Sequence, residues 1–239
     1  MNREFHRWYS PNLNREMELL VVGHGGARVL VFPTSKGRFF EWEDRGMMAS
    51  LRGSIDAGHL QFYCVDSVDT ESWYAYHNHP GARAWRHHQY MRYCYDEVLP
   101  LSTRKNGNPF LMVMGASFGA FHAMSFGLRF PEKVDRILGF SGIYDIRSFT
   151  GGYTDDTLYS YNPIQFVANE HDDWRLGALR HVDILMATGK DDRLISSARA
   201  MSGVLWEKGI GNALREWDVW SHDWPYWMKM MHAYIGGHD

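Results

Sequence analysis

The stretch VMGASFGAFHAMSFG (113–127) decides the fold of this 239-residue chain. The run FLMVMGAS (110–117), which overlaps its start, shows no alternation of apolar and polar residues. Such a run is typical of a strand buried on both faces of a parallel sheet. Small and aromatic residues continue to about Phe130, and Pro131 is of the type that ends helices. The stretch therefore predicts a buried strand, a tight turn at Gly-Ala-Ser-Phe-Gly (115–119) and a helix.

Ser117 stands at the centre of this turn. A nucleophilic serine on a sharp strand-to-helix turn has a strained backbone that lifts its hydroxyl above the edge of the sheet. The residues two positions away on each side must be small, because the turn brings them against neighbouring backbone. Gly115 and Gly119 fill those positions. The amide groups at the start of the helix would also stabilise developing negative charge, so the turn predicts Ser117 as a nucleophile.

Strand-like apolar runs alternate with helical stretches on both sides of the turn. Two runs, 17–24 and 27–34, flank a glycine-containing turn and are predicted to pair as an antiparallel hairpin. Further strands are predicted at 60–67, 134–142, 183–189 and 213–221, with helices at 43–57, from Pro80 onward, at 196–209 and at the C-terminal end. This order predicts an α/β fold with a mostly parallel central sheet of about eight strands, an antiparallel first hairpin and helices on both faces.

The domain organisation follows from length and from the absence of linkers in the sequence. A chain of 239 residues can form one sizeable core, and it contains no repeat or low-complexity tract. We therefore expect a single domain spanning 1–239. The segment 143–179 is irregular, aromatic and polar, and is expected to be an insertion over the sheet, either a cap or lid or only a surface loop.

The charge and cysteine content of the chain indicate which classes of binding partner and which cellular compartment to expect. The net charge of −3 is spread along the chain without a basic block, which argues against nucleic acid and anionic membranes. Cys64 and Cys94 lie in apolar or aromatic runs and are interpreted as core thiols in a reducing compartment. The charged stretch 1–18 lacks the apolar core of a signal peptide, and no run approaches the length of a membrane span. The sequence thus predicts a cytoplasmic protein.

A nucleophilic serine needs a base and a group that orients the base. In this architecture an acid and then a histidine are expected to follow the serine, each after a strand. Asp192 lies three residues beyond Gly189, where the strand 183–189 ends, and is the predicted acid. Asp191 and Asp145 remain alternatives. His222 follows the last predicted strand and is the predicted base.

The other histidines offer a competing interpretation. His77, His79, His87 and His88 are clustered, and a His-x-His pair is a feature of some metal sites. No cysteine or acidic set accompanies them at a familiar spacing, and a surface helix accounts for His87 and His88. We therefore expect no metal and no cofactor.

An oxyanion hole requires two backbone N–H donors. One is expected from Phe118, directly after the nucleophile, and the other from the loop that follows the strand 27–34. Ser35 or Thr34 would supply the second donor. The tripeptide His24-Gly25-Gly26 resembles an oxyanion motif, but it precedes that strand and is interpreted as the hairpin turn.

Aromatic residues are abundant in loops, which indicates an aromatic-walled substrate pocket. The chain contains 10 Trp, 13 Tyr and 13 Phe. The predicted pocket residues are Phe39, Trp42, Tyr144 and Trp224. Tyr153, Tyr159, Tyr161 and Tyr226 are further candidates for the same wall.

With these motifs in place, the chain resembles the α/β-hydrolase superfamily. Within it, the chain is most similar to the putative-esterase group, which includes S-formylglutathione hydrolase (esterase D), feruloyl esterases and mycolyltransferases. The resemblance extends over nearly the whole chain. It rests on GASFG (115–119), SGIYD (141–145), GKDD (189–192), and HDW (222–224) with Trp227.

The resemblance implies a serine hydrolase that cleaves small-molecule carboxylic esters through Ser117, His222 and Asp192 and an acyl-enzyme intermediate. The oxyanion donor that this group carries after its third strand maps best onto Ser35. Two alternatives use the same fold. One is an acyltransferase with the same triad, and the other is a catalytically silent protein that binds a ligand in the aromatic cleft.

Overall fold

The chain begins with an antiparallel hairpin in the computed structural model, which describes residues 1–237. β1 (Arg3–Ser10) pairs with β2 (Arg15–Val22) along its whole length, from Arg3 opposite Val22 to Ser10 opposite Arg15. Asn14 closes the turn with a φ of 52°, a conformation that asparagine tolerates better than most residues. The sequence does not predict β1, because charged residues interrupt it and most of its side chains remain in contact with solvent.

The predicted hairpin between 17–24 and 27–34 is wrong. β3 (Ala27–Phe32) pairs parallel with β4 (Leu60–Val65), and β2 pairs antiparallel with the other edge of β4. β4 therefore lies between β2 and β3, in the order β1-β2-β4-β3. All six residues of β4 are buried, as expected for an interior strand. His24-Gly25-Gly26 is accordingly a crossing connection and not a hairpin turn.

The helices that follow β3 and β4 are more divided than the sequence predicts. In place of one helix over 43–57, the chain forms α1 (Glu41–Asp44), α2 (Met47–Ser50) and α3 (Arg52–Asp56). Gly46, with a φ of 75°, separates the first two. The helix from Pro80 is confirmed and continues through a π-helical turn: α4 (Pro80–Tyr93), Cys94–Val98 and α5 (Leu99–Lys105).

Four parallel strands carry the second half of the chain. β5 (Leu111–Ala116), β6 (Arg136–Phe140), β7 (Asp183–Gly189) and β8 (Ala213–Trp217) are neighbours in that order. Ala116 lies opposite Phe140 and Phe140 opposite Ala187. The residues that come directly after these strands therefore meet at one edge of the sheet, where binding sites of parallel sheets form.

Helices connect these strands as the alternating pattern predicts. α6 (Phe118–Arg129) follows β5, α10 (Ile195–Glu207) follows β7, and α11 (Trp224–Tyr234) follows β8. The segment 143–179 contains a 3₁₀ turn at Arg147–Phe149 and three short helices, α7 (Asp156–Tyr161), α8 (Pro163–Ala168) and α9 (Asp173–His181).

The described residues group into two compact units. The first contains Met1–Leu111 and Arg147–Leu158, and the second contains Met112–Ile146 and the chain from Tyr159 onward. The segment 143–179 is thus shared between the units. The single domain over 1–239 and the lid at 143–179 stay predictions, and residues 238–239 lie outside the described chain.

Both cysteines lie in the first unit and are fully buried as free thiols, Cys64 in β4 and Cys94 in the π-helical turn. Burial raises the pKa of each thiol above its ordinary value. Among the helices of residues 1–237, none is both long enough and apolar enough to span a bilayer.

Candidate active site

The turn after β5 has the strained backbone that the sequence predicts. Ser117 has φ 55° and ψ −118°, a conformation that is rare for any residue except glycine. Its N–H donates to the Phe140 carbonyl oxygen at 2.8 Å, which holds the turn to β6. A Cβ at Gly115 would clash with the carbonyl group of Gly119, so the turn cannot close around a larger residue at 115. The backbone therefore determines where the serine hydroxyl lies.

The Ser117 hydroxyl faces a histidine and does not cap α6. Its side chain makes no capping hydrogen bond with the helix. Instead, Oγ lies 3.0 Å from His222 Nε2. His222 is largely buried, with 12% of its side chain exposed, and its ring packs edge-on against Trp227 with 5.4 Å between ring centroids. The predicted nucleophile and the predicted base are thus within hydrogen-bond distance.

Asp192 orients the other side of the imidazole. His222 Nδ1 lies 3.2 Å and 3.1 Å from the two carboxylate oxygens, and the Leu194 N–H donates to Oδ1 at 2.9 Å. Burial alone would raise the pKa of Asp192. The hydrogen bonds from His222, the Leu194 amide and the Ser141 hydroxyl outweigh that effect and lower it. An ionised carboxylate only accepts, so Nδ1 carries the proton and Nε2 can accept the serine hydrogen.

Two buried serines connect the loops behind the acid and the histidine. Ser141, which follows β6, has its Oγ 3.1 Å from Ser221 Oγ, and Ser221 precedes the histidine. Ser221 Oγ also accepts from the Gly189 N–H at 2.6 Å, and the Ser141 N–H donates to the Ala187 carbonyl oxygen at 2.8 Å. Both serines are fully buried. They tie together the ends of β6 and β7 and the loop that carries His222.

The sequence analysis missed the role of these serines. A signal was available, since Ser141 directly follows the apolar strand β6 and Ser221 directly precedes the predicted base. Ser141 has a φ of 47°, a backbone conformation that is found mostly at glycine. Gly189 has a steric reason to be glycine, because a Cβ there would clash with the Val219 carbonyl oxygen. The histidine loop thus crosses directly over the end of β7.

Neither of the two alternative acids forms a hydrogen bond or an ion pair with His222. Asp191 is exposed. Asp145 accepts a hydrogen bond from the Asn162 side-chain amide at 3.1 Å. Of the three candidates, Asp192 is the carboxylate that the structure brings to His222 Nδ1.

The predicted oxyanion donors belong to different units. Phe118 begins α6, so its N–H belongs to the first turn of that helix, beside Ser117. Thr34 and Ser35 belong to the first unit, after β3. The Thr34 N–H already donates to Glu41 Oε2 at 2.8 Å, so Thr34 is no longer a candidate. The Ser35 hydroxyl lies 2.8 Å from the Tyr74 hydroxyl, and its amide remains the predicted second donor.

Three of the four predicted pocket residues are core residues. Trp42 and Tyr144 expose 1% and 0% of their surface and Phe39 exposes 8%, which corrects their interpretation as walls that a dissolved substrate could touch. Tyr144 fills space left by two glycines, since a Cβ at Gly139 or Gly142 would clash with its hydroxyl. Such packing explains a large aromatic residue here without a ligand. Trp224, at the start of α11, is half-buried.

Two of the four clustered histidines have structural roles. His87 is fully buried and packs on Trp73 with 5.2 Å between ring centroids, which corrects its assignment to a surface face. His79 Nδ1 accepts from the Gly81 N–H at 3.2 Å and caps α4. Within residues 1–237, no three His, Cys, Asp or Glu side chains converge in a group that could hold a metal ion.

Comparison with known proteins identifies both the fold and the family. The family model described as Putative esterase matches residues 63–236, well over half of the chain. Among solved structures, a ferulic acid esterase superposes with a TM-score of 0.77 at 17% identity, covering 98% of this chain and 96% of its own. S-formylglutathione hydrolase from Agrobacterium tumefaciens gives 0.75 at 18% identity, with 98% and 93% covered. MPT51 (FbpC1) of Mycobacterium tuberculosis gives 0.66 at 16%, with 99% and 97% covered.

At these identities the solved structures establish the fold alone, and they confirm the predicted α/β-hydrolase class. The sheet is mostly parallel with antiparallel first strands, as predicted, although the first hairpin is formed by β1 and β2 and not by the predicted pair of strands. No curated protein matches the chain in sequence.

Proposed function

This chain belongs to the Putative esterase family and is a carboxylic ester hydrolase, and we propose that it cleaves small-molecule esters with Ser117, His222 and Asp192 as its catalytic triad. The observation that carries the proposal is the continuous contact from Ser117 Oγ to His222 Nε2 at 3.0 Å and from His222 Nδ1 to Asp192 at 3.1 Å. A serine, a base and an orienting acid within hydrogen-bond reach are the arrangement that nucleophilic acyl transfer requires.

The reaction follows from these contacts. Ser117 Oγ attacks the acyl carbon of the ester while His222 Nε2 takes the hydroxyl proton. The tetrahedral intermediate then expels the alcohol, which receives that proton from His222, and an acyl-serine remains. A water molecule attacks the acyl carbon, again losing a proton to Nε2. The carboxylic acid leaves as the serine oxygen recovers the proton.

The supporting groups stabilise charge at each stage. Asp192 is buried, and its lowered pKa keeps it ionised beside the imidazolium that forms when His222 takes the proton. The Phe118 N–H and the dipole of α6 would stabilise the oxyanion next to Ser117. The second oxyanion donor, the Ser35 amide, stays a prediction.

A fluorophosphonate probe tests the nucleophile directly. We expect one probe molecule per protein, located on the peptide that contains Ser117 by mass spectrometry, and no label on Ser117→Ala. The same substitution should lower kcat for an aryl ester by about 10⁶-fold, the loss typical of a triad nucleophile. Ser125→Ala is the matched control, because Ser125 is a buried serine on α6 whose hydroxyl bonds to the Tyr161 carbonyl oxygen at 3.0 Å.

Two results would contradict the proposal. One is a label on another residue, and the other is a folded Ser117→Ala protein that hydrolyses esters at the wild-type rate. Product analysis with an added alcohol separates hydrolysis from acyl transfer. Free acid is expected as the main product, whereas an excess of new ester would identify a transferase with the same triad.

A further inference from the structure

A cavity lies at the end of α6 opposite the nucleophile. Its volume is about 230 Å³, and its lining includes Arg129 from the last turn of α6, Tyr159, Phe166, Glu170 and Arg175. All five belong to the second unit. Pockets for drug-sized ligands occupy roughly 300–1,000 Å³, so this cavity suits a smaller molecule.

One of the two arginines in the lining is already neutralised. Arg175 Nε donates to Glu170 Oε2 at 2.7 Å, and its Nη2 donates to the Leu128 carbonyl oxygen at 3.2 Å. Burial opposes the ionisation of Glu170, but the Asp172 amide, Arg175 and the His171 amide outweigh it and lower the pKa of the carboxyl group. Glu170 and Arg175 therefore form a closed ion pair that contributes no net charge.

The other arginine has no such partner. Arg129 is half-buried, and its Nε is fully buried without a hydrogen-bond acceptor among residues 1–237. No carboxylate in the described part of the chain forms an ion pair with it. Because Nε has no accessible surface, only the two terminal Nη groups of Arg129 can meet a ligand, and they donate no hydrogen bond within residues 1–237. The lining thus carries one uncompensated positive charge.

We propose that this cavity is an accessory binding site for a small organic carboxylate, with Arg129 as its anchor. The two Nη groups of a guanidinium present N–H donors side by side, which matches the two oxygens of a carboxylate. The single uncompensated charge fits a monoanion. Phe166 and Tyr159 provide apolar and aromatic surface against which the organic part of the ligand would pack.

The site is separate from the catalytic centre. Ser117 precedes the first residue of α6 and Arg129 is its last, so the two residues are about 18 Å apart along the axis at ~1.5 Å per residue. A ligand held by Arg129 therefore cannot be the ester under attack. Its binding needs no turnover, and the measurement below can fail or succeed whether or not Ser117 is the nucleophile.

Fluorine NMR titration with 4-fluorobenzoate tests the proposal. We expect saturable binding to the wild-type protein and an affinity on the order of tenfold lower for Arg129→Gln, since the charged, two-point contact is lost. Arg180→Gln is the matched control, because Arg180 is an exposed arginine of the same unit that lies outside the lining. Its affinity should stay within about twofold of wild type. Ester hydrolysis by Arg129→Gln should be unchanged, which also reports that the variant folds.

A second ligand makes the test independent of any variant. The neutral isostere 4-fluorobenzamide should bind the wild-type protein on the order of tenfold more weakly than 4-fluorobenzoate. Equal binding of the amide and the carboxylate would overturn the proposal. So would the absence of saturable binding of 4-fluorobenzoate, or an affinity for Arg129→Gln equal to that of wild type.

Discussion

The serine turn and the acid–histidine loops fix their proposed catalytic groups by different physical means. At the serine turn, backbone geometry positions the serine hydroxyl. The features responsible are the positive φ of Ser117, its N–H hydrogen bond to the Phe140 carbonyl oxygen and the close approach of Gly115 to Gly119. Behind the acid and the histidine, two serine hydroxyls connect loops that come from different strands. One region is positioned by steric exclusion and the other by side-chain hydrogen bonds.

This difference predicts how each region responds to substitution. Steric exclusion acts as an all-or-none constraint, because two backbones that touch cannot move apart locally without displacing the strand. A single hydrogen bond contributes only about 0.5–1.5 kcal/mol net to stability. Its loss therefore lowers the fraction of molecules in which the loop is correctly placed, without displacing the loop in all of them. We therefore expect sharp effects at the turn and graded effects in the supporting network, apart from the acid itself.

Among substitutions that leave Ser117 and His222 in place, the largest effect is expected for the acid. Asp192→Asn should lower kcat by about 10³–10⁴-fold, because an amide can donate to the imidazole and favour the wrong tautomer. Asp191→Asn and Asp145→Asn are the controls, and both should hydrolyse an aryl ester within about twofold of wild type because neither carboxylate contacts His222. A large loss in either control, with Asp192→Asn nearly unaffected, would reassign the acid.

The next effect sharpens the steric side of the comparison. Gly115→Ala places a methyl group against the Gly119 carbonyl, which should cost about 1–3 kcal/mol in the free energy of unfolding and misplace the nucleophile. A displacement near 1 Å can lower kcat by about 10²-fold. Chemical denaturation and steady-state kinetics measure both quantities.

Gly203→Ala is the matched control in the same unit. A Cβ at Gly203 meets no atom within 4 Å, and the residue is exposed in α10. Alanine should therefore raise the free energy of unfolding by up to about 1 kcal/mol and leave kcat unchanged. If Gly115→Ala behaved like this control, the turn would not be held by steric exclusion.

A smaller effect tests the hydroxyl network. Ser141→Ala removes one partner of Ser221 and one hydrogen bond to Asp192, so kcat/KM should fall by roughly fivefold, the equivalent of about 1 kcal/mol. Ser125→Ala deletes a hydroxyl of the same burial at a distance from the triad. It should show a similar change in unfolding free energy without the kinetic change. A kinetic loss of 10²-fold or more for Ser141→Ala would erase the distinction between the two regions.

The smallest effect is a pH dependence of stability. The pKa of Asp192 is lower in the folded protein than the ordinary value of about 3.9, so its ionisation favours the folded state above that pH. This contribution should be lost as the pH falls from about 4 through the lower folded pKa. Urea unfolding of wild type and Asp192→Asn between pH 2 and 7 measures it. A stability difference that grows on acidification below pH 4 would have the opposite sign and contradict the shift.

The sequence predicts those parts of the fold that depend on residues close together along the chain. The buried strand β5, the turn at Ser117 and helix α6 follow from local composition, and all three are confirmed. The pairing of strands is harder to predict from the sequence. β2 and β3 are both apolar runs, and the short glycine-containing connection between them resembles a hairpin turn. Their actual partner, β4, is distant in sequence, since Val29 of β3 pairs with Phe62 and Leu20 of β2 pairs with Cys64, and it is selected by burial across the whole sheet.

The site divides in the same way. The meeting of Ser117, Asp192 and His222 was predictable, because each occupies a loop that a strand delivers to one edge of the sheet. The roles of Ser141 and Ser221 depend on a contact across 80 positions and leave little trace in sequence. Trp42 and Tyr144 were interpreted as pocket residues because composition cannot distinguish an aromatic residue that faces solvent from one that fills a void beside glycines.

The position of the two cysteines makes the first unit separately measurable. Cys64 and Cys94 are the only cysteines of the chain, both lie in the first unit, and both are buried with raised thiol pKa values. Alkylating reagents attack the thiolate and need access to it, so the native protein should react slowly. The rate of iodoacetamide modification then measures how often that unit opens and exposes the thiols. Because the proposed triad carries no thiol, esterase assays on the same sample can report at the same time whether the candidate active site stays intact.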